Sequence, residues 1–138
     1  MKKCLYSGIL VLFLWSCQTP NPQEQLADLI RRYENFEAYD AYLRGRDYLR
    51  RPSTEANLQN AGIQFQQSLM LDPAYGMAYA GICETRLRQY QINPDTELFE
   101  DAEKACNRAM TRDGQSAEVS LALGRLHLLT GQSEQAMG

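Results

Sequence analysis

The sequence predicts an all-α fold assembled from repeated antiparallel helical hairpins, and three observations carry that expectation. Apolar residues recur at helical spacing through most of the chain, no long strand-like alternation occurs, and small residues return at fixed intervals. Ala61, Ala102 and Ala136 stand 41 and 34 residues apart, Cys83 and Gly124 stand 41 apart, and so do Pro73 and Gly114. Only intervals that cross Gln91 to Thr96 exceed 34 residues. A 34-residue helical hairpin with seven extra residues between the helices of its middle copy accounts for all of them. With 138 residues, 44% of them hydrophobic, the chain has the size of one small domain with a modest core.

The first 16 residues read as a targeting segment. Lys2 and Lys3 form a positive start, and Leu5 to Trp15 form an apolar run of 11 residues, too short to cross a hydrocarbon core of about 30 Å as a helix. The run closes on "LWSC", Leu14 to Cys17, which resembles the lipobox of bacterial lipoproteins. That resemblance implies cleavage before Cys17, a thioether-linked diacylglycerol on its sulfur and an acyl chain such as palmitate on its new amino group. Each buried CH₂ contributes about 0.8 kcal/mol, so two or three chains anchor stably where one does not. Gln18, rather than Asp, after the cysteine implies the outer membrane, with the protein facing the periplasm. The alternatives are an uncleaved apolar N-terminus or a soluble secreted protein. A chain starting at Cys17 loses two of the 14 basic residues and none of the 17 acidic ones, so its net charge becomes −5. No Lys/Arg block occurs, and nucleic acid is not expected as a partner.

Residues 17–22 read as a polar, proline-bearing linker and 23–138 as the helical domain. Asn21 suits an N-cap, Pro22 the first helical position, and Glu24 the third position of a capping box. Leu26, Leu29, Ile30, Tyr33, Phe36, Tyr39, Tyr42 and Leu43 then keep helical spacing to about Arg50, as one long helix or as two with a break near Asn35.

From residue 38 onward the chain resembles tetratricopeptide repeats, in about two and a half copies. "LALGRLHLLTGQSEQA" supplies Leu123-Gly124 in a first helix, Gly131 in the turn and Ala136 in a second helix. "AGIQFQQSLMLDP" supplies Ala61, Phe65, Ser68 and Pro73 of a second helix and the turn after it. Gly45 and Tyr48 fit the first copy; the middle copy departs from the pattern at Cys83, Arg86, Cys106 and Gly114. The resemblance implies that the small residues Gly45, Ala61, Cys83, Ala102 and Gly124 sit where helices cross closely. Phe65, Leu69, Leu71, Tyr79, Phe99 and Met110 would fill the space between layers. It also implies a peptide- or protein-binding groove lined by the first helix of each pair. By register the groove receives Tyr39, Tyr42, Arg46, Leu49 and Arg50; Met77, Glu84, Leu87 and Arg88; and Glu118, Leu121, Arg125 and Leu128. The Lys/Asn set that clamps a C-terminal carboxylate in chaperone-binding members is missing. Arg46, Arg50, Arg88 and Arg125 would either hold an acidic segment or stand solvated.

Cys83 and Cys106 lie equidistant from the Pro94–Asp95 bond of "INPD", so an antiparallel hairpin brings them together. In an oxidising compartment they either form a disulfide worth about 3 kcal/mol or pack as two small buried residues. Two thiols without a nearby histidine make no zinc site, and no metal or other cofactor is expected. His127, the only histidine, reads as a partly buried structural residue, and "ELFEDAE", Glu97 to Glu103, as a solvated helix face. No Gly-rich phosphate loop, HExxH or GxSxG occurs, no catalytic residues are assigned, and the chain does not read as an enzyme.

The last first-type helix, about Ala117 to Leu129, is apolar on both flanks, while its successor begins near Ser133. A solenoid closes on a helix with a polar outer face. The array is therefore expected either to continue past Gly138 or to be covered there by a partner or a second copy. The leading functional expectation is a membrane-anchored lipoprotein scaffold binding a partner protein in the bacterial envelope. The alternatives are a sensory or regulatory fragment of a larger signalling protein and a pilotin-like lipoprotein assisting pilus or secretin assembly.

Overall fold

The computed structural model describes residues 21–137, with side chains described as far as Gly131. Cys17 and the targeting segment 1–16 lie outside the described residues, as does the side chain of Ala136. Among the described residues five helices follow one another: α1 (Pro22–Arg50), α2 (Glu55–Leu71), α3 (Gly76–Ile92), α4 (Thr96–Asp113) and α5 (Ala117–Met137). Among the described residues there is no strand, and the protein is all-α.

Each boundary has a local cause. At the start of α1 the Asn21 side chain accepts from the Gln23 and Glu24 N–H groups at 2.6 and 3.1 Å. The Asn21 N–H in turn donates to the Glu24 carboxylate at 3.3 Å, completing the capping box. The helix therefore begins at Pro22, inside the stretch assigned from sequence to the linker, and runs 29 residues without a break at Asn35. It stops where Pro52 forces Arg51 into extended backbone. Thr54 caps α2, Asp95 caps α4, and the Ser116 hydroxyl accepts from the Val119 N–H at the start of α5.

The extra length of the middle hairpin is not a seven-residue loop. Only Asn93 to Asp95 are non-helical, and the additional residues extend α3 and α4 instead. Each residue added to an existing helix gains a backbone hydrogen bond, which an exposed loop would leave to water. The lengthened ends are held by Tyr90 and Phe99, whose ring centroids lie 5.4 Å apart.

The helices pack in chain order. α1 packs on α2 and α3 on α4 as hairpins; α3 also packs on α2, and α5 covers α3 and α4. α1, α3 and α5 lie side by side, since α3 touches both of the others. Phe65 on α2 is fully buried between two glycines: a Cβ at Gly45 on α1 would fall 2.6 Å from its ring, and one at Gly81 on α3 would fall 2.5 Å from it. Glycine is required at both because a methyl group has no room there. The Ser68 hydroxyl, also buried, donates to the Ala38 carbonyl at 2.8 Å and sets the end of α2 level with the middle of α1. A second core gathers Cys83, Leu87, Ala102, Cys106, Ala109, Val119 and Leu126 between α3, α4 and α5.

Four expectations need correction here. Met110 is exposed, because α4 turns that face outward and no described helix lies over it. A Cβ at Gly124 would meet nothing within 4 Å, so this glycine marks no helix crossing among the described residues. Gly131 does not turn the chain, since the α5 backbone stays helical through Met137. Extending α5 through a glycine costs only about 1 kcal/mol. His127 is exposed, because Val119 and Leu126 define the buried side of α5.

Candidate functional site

The face shared by α1, α3 and α5 carries two shallow hollows. Tyr42 and Arg46 from α1, Met77, Ala80, Gly81 and Glu84 from α3, and Glu118 and Leu121 from α5 line one of them. Leu87, Arg88, Gln91, Arg125, Leu128 and Leu129 line the other, of about 240 Å³. Charged side chains join the two, since Glu84 of the first pairs with Arg88 and Arg125 of the second. Glu84 accepts from Arg88 at 2.5 Å, one turn along α3, and faces Arg125 of α5 at 3.4 Å. Arg46 of α1 reaches Glu118 of α5 at 3.4 Å, linking two helices whose backbones do not approach each other.

Each arginine therefore has internal work. Arg88 also donates to the Leu49 carbonyl at 2.7 Å, placing positive charge at the C-terminal end of α1, where the exposed carbonyls of a helix favour it. Arg46 donates to the Tyr42 hydroxyl at 2.7 Å. Burial opposes the Arg46 charge, but the bonds to Tyr42 and Glu118 outweigh it and hold its pKa above the usual arginine value. Burial pushes the Tyr42 phenol above its usual range, with Arg46 pulling the other way. Tyr75 stands edge-on to Tyr42 at 5.4 Å. Burial and the neighbouring acidic groups raise its phenol well above the ordinary value, and its hydroxyl is buried without a hydrogen-bond partner among the described residues.

The groove predicted by register is thus assembled only in part. Tyr42, Arg46, Met77, Glu84, Leu87, Arg88, Glu118, Leu121, Arg125 and Leu128 line the two hollows, and Tyr39, Leu49 and Arg50 do not. Leu49 is buried in the core between α1, α2 and α3, and among the lining leucines Leu87 is buried while Leu121 and Leu128 are exposed. Tyr39 is half exposed and its ring stacks on Tyr42 at 6.3 Å. Arg50 lies exposed at the end of α1, with no ion pair among the described residues. Of the four arginines, Arg46 pairs with Glu118, Arg88 and Arg125 share Glu84, and Arg50 has no ion pair among the described residues, so the cluster of three arginines and two glutamates keeps a net positive charge. The face is an apolar floor crossed by paired charges of both signs. Tyr75 was missed from the sequence; an aromatic two residues after Pro73, just before a run of small residues, was the available signal.

Cys83 and Cys106 are joined by a disulfide across α3 and α4, with Cα atoms 5.2 Å apart and both residues fully buried. No group of three or more His, Cys, Asp or Glu residues among the described residues is arranged to hold a metal. No described helix is long and apolar enough to cross a membrane. Comparison with protein-family models, curated proteins and solved structures finds no match to this chain. Fold and site together define an all-helical protein of stacked antiparallel hairpins, with one face built from alternate helices.

Proposed function

We propose that this is a tetratricopeptide-type scaffold, held to a bacterial envelope membrane through an acylated Cys17, that takes a segment of a partner protein on the face of α1, α3 and α5. One observation carries the reading: α1, α3 and α5 lie side by side while α2 and α4 pack behind them. This is the layout in which a helical-hairpin solenoid offers its alternate helices as one surface. The glycine–phenylalanine–glycine contact of Gly45, Phe65 and Gly81 supports the same reading, since it brings three helices together at one small-residue crossing. The surface suits a peptide with apolar anchors and mixed charges, because Arg46, Arg88 and Arg125 stand on it beside Glu84 and Glu118.

Two experiments test it. Cells carrying the whole chain should yield a Cys17-terminated, diacylglycerol-modified form in the membrane pellet, and Cys17→Ser should release it. A photo-cross-linking amino acid at Met77, in the groove, should give a discrete protein adduct that the same probe at exposed Gln67 on α2 does not. Equal labelling from both positions, or none from Met77, would refute the binding face.

A further inference from the structure

The N-terminal half of α1 carries an apolar stripe that the domain does not use. Successive residues turn by about 100° around a helix. Leu26, Leu29, Ile30, Tyr33, Phe36 and Leu43 therefore fall on one side of α1, and the buried Ala38, Ala41, Tyr42, Gly45 and Leu49 on the opposite side. Leu29, Tyr33 and Phe36 are 64%, 65% and 65% exposed. Since α2 ends level with Ala38, the first 15 or so residues of α1 project beyond it by roughly 20 Å.

We propose that this stripe is the seam of a parallel, two-stranded pairing between two copies of this chain. Leu26 and Tyr33 take the a positions of a heptad, Leu29 and Phe36 the d positions, and Ile30 flanks them at e. Charge selects both the occupant and the direction. In the parallel arrangement g faces e five residues on in the partner, so Arg32 meets Glu37 of the other copy twice by symmetry. An antiparallel arrangement sets g against g and e against e, which leaves Arg32 and Glu37 without opposite charges across the seam. Arg32 now pairs with Asp28 at 2.7 Å, and Glu37 accepts from the Tyr33 hydroxyl; both keep free hydrogen-bonding capacity. The polar side of this half-helix holds four acids, Glu24, Asp28, Glu34 and Glu37, against Arg31 and Arg32, the wrong balance for an anionic lipid surface. The exposed fractions of the stripe amount to roughly 600–700 Å² per copy, near the ~800 Å² that each partner of a standard interface buries. The seam lies opposite the side of α1 that holds α2 and α3, so the two bodies point apart.

Single cysteines placed in the whole chain test the geometry without disturbing the fold, because the positions are exposed. Bacteria expressing Leu29→Cys, Phe36→Cys, Arg31→Cys or Glu34→Cys are fractionated, oxidised and run on non-reducing gels, with the unsubstituted chain as baseline. The seam predicts a species of twice the chain mass from Leu29→Cys and Phe36→Cys, at least tenfold above that from Arg31→Cys and Glu34→Cys. Glu37→Arg added to Leu29→Cys should lower the dimer at least tenfold, and Arg32→Glu added to that pair should restore it to within twofold. No dimer from the seam positions, equal dimer from all four, or adducts with a different protein would overturn the proposal, leaving lipid, chance collision or another partner as the occupant.

Discussion

The close approach of three helices at Phe65 makes a sharp quantitative prediction for Gly81→Ala. The new Cβ would lie 2.5 Å from two ring carbons of Phe65 and 2.7 Å from a third. That is about 1 Å short of an ordinary carbon–carbon contact of roughly 3.5 Å. The ring cannot yield easily, because it is fully buried and Gly45 of α1 closes its other side at 2.6 Å. Overpacking of this kind costs about 1–3 kcal/mol or somewhat more. Alanine gains up to about 1 kcal/mol over glycine in a helix interior, so the net expectation is a loss of about 1–2 kcal/mol. Urea unfolding followed by far-ultraviolet circular dichroism measures it, with Gly124→Ala as control. The control meets no neighbour within 4 Å and should gain about 0.5–1 kcal/mol. In a Phe65→Leu background the ring atoms that clash are gone, so the Gly81→Ala cost should fall by at least about 1 kcal/mol. If Gly81→Ala and Gly124→Ala shift stability alike in both backgrounds, the proposed crossing does not exist.

Replacing Cys83 and Cys106 together with alanine should cost about 3 kcal/mol, the loop entropy of a bridge spanning 23 residues, and a reductant should leave the double variant's unfolding midpoint unchanged. Glu84→Gln should cost about 1–3 kcal/mol, because it strands Arg88, whose side chain is only 18% exposed; Glu118→Gln, at the more open pair with Arg46, should cost less than about 1 kcal/mol in the same denaturation assay. Tyr75→Phe should stabilise the fold by about 1 kcal/mol at neutral pH, since it removes a buried hydroxyl that lacks a partner. An unfolded tyrosine ionises near pH 10 and burial holds the folded Tyr75 phenol above that, so its share of stability is complete below about pH 10 and is lost as pH rises further. Tyr75→Phe should therefore flatten the alkaline decline in melting temperature, and an unchanged decline would assign it to other groups.

Much of the fold was legible because its causes are local. The capping box at Asn21, the end of α1 near Arg50 and the turn at Pro73 after α2 each depend on a few neighbouring residues. The facing of Cys83 and Cys106 followed from counting outward from one turn. The candidate face was legible only as a register. Sequence listed Glu84 and Glu118 beside the arginines, but pairing them required knowing that α5 crosses close enough for Arg125 to reach Glu84 and for Glu118 to reach Arg46. The stripe from Leu26 to Leu43 showed the same helical spacing as a buried face, and periodicity cannot tell whether a neighbour covers it.

The sequence by itself determined that the described chain is helical, how α1 is capped, and which small residues recur at fixed intervals, because propensity, capping and periodicity act over a few residues. Tertiary structure alone decided which apolar faces are covered, which glycines are crowded, and which charges cancel. Those outcomes turn on distances between residues far apart in the chain, such as the 3.4 Å from Arg46 to Glu118, and no local pattern encodes them.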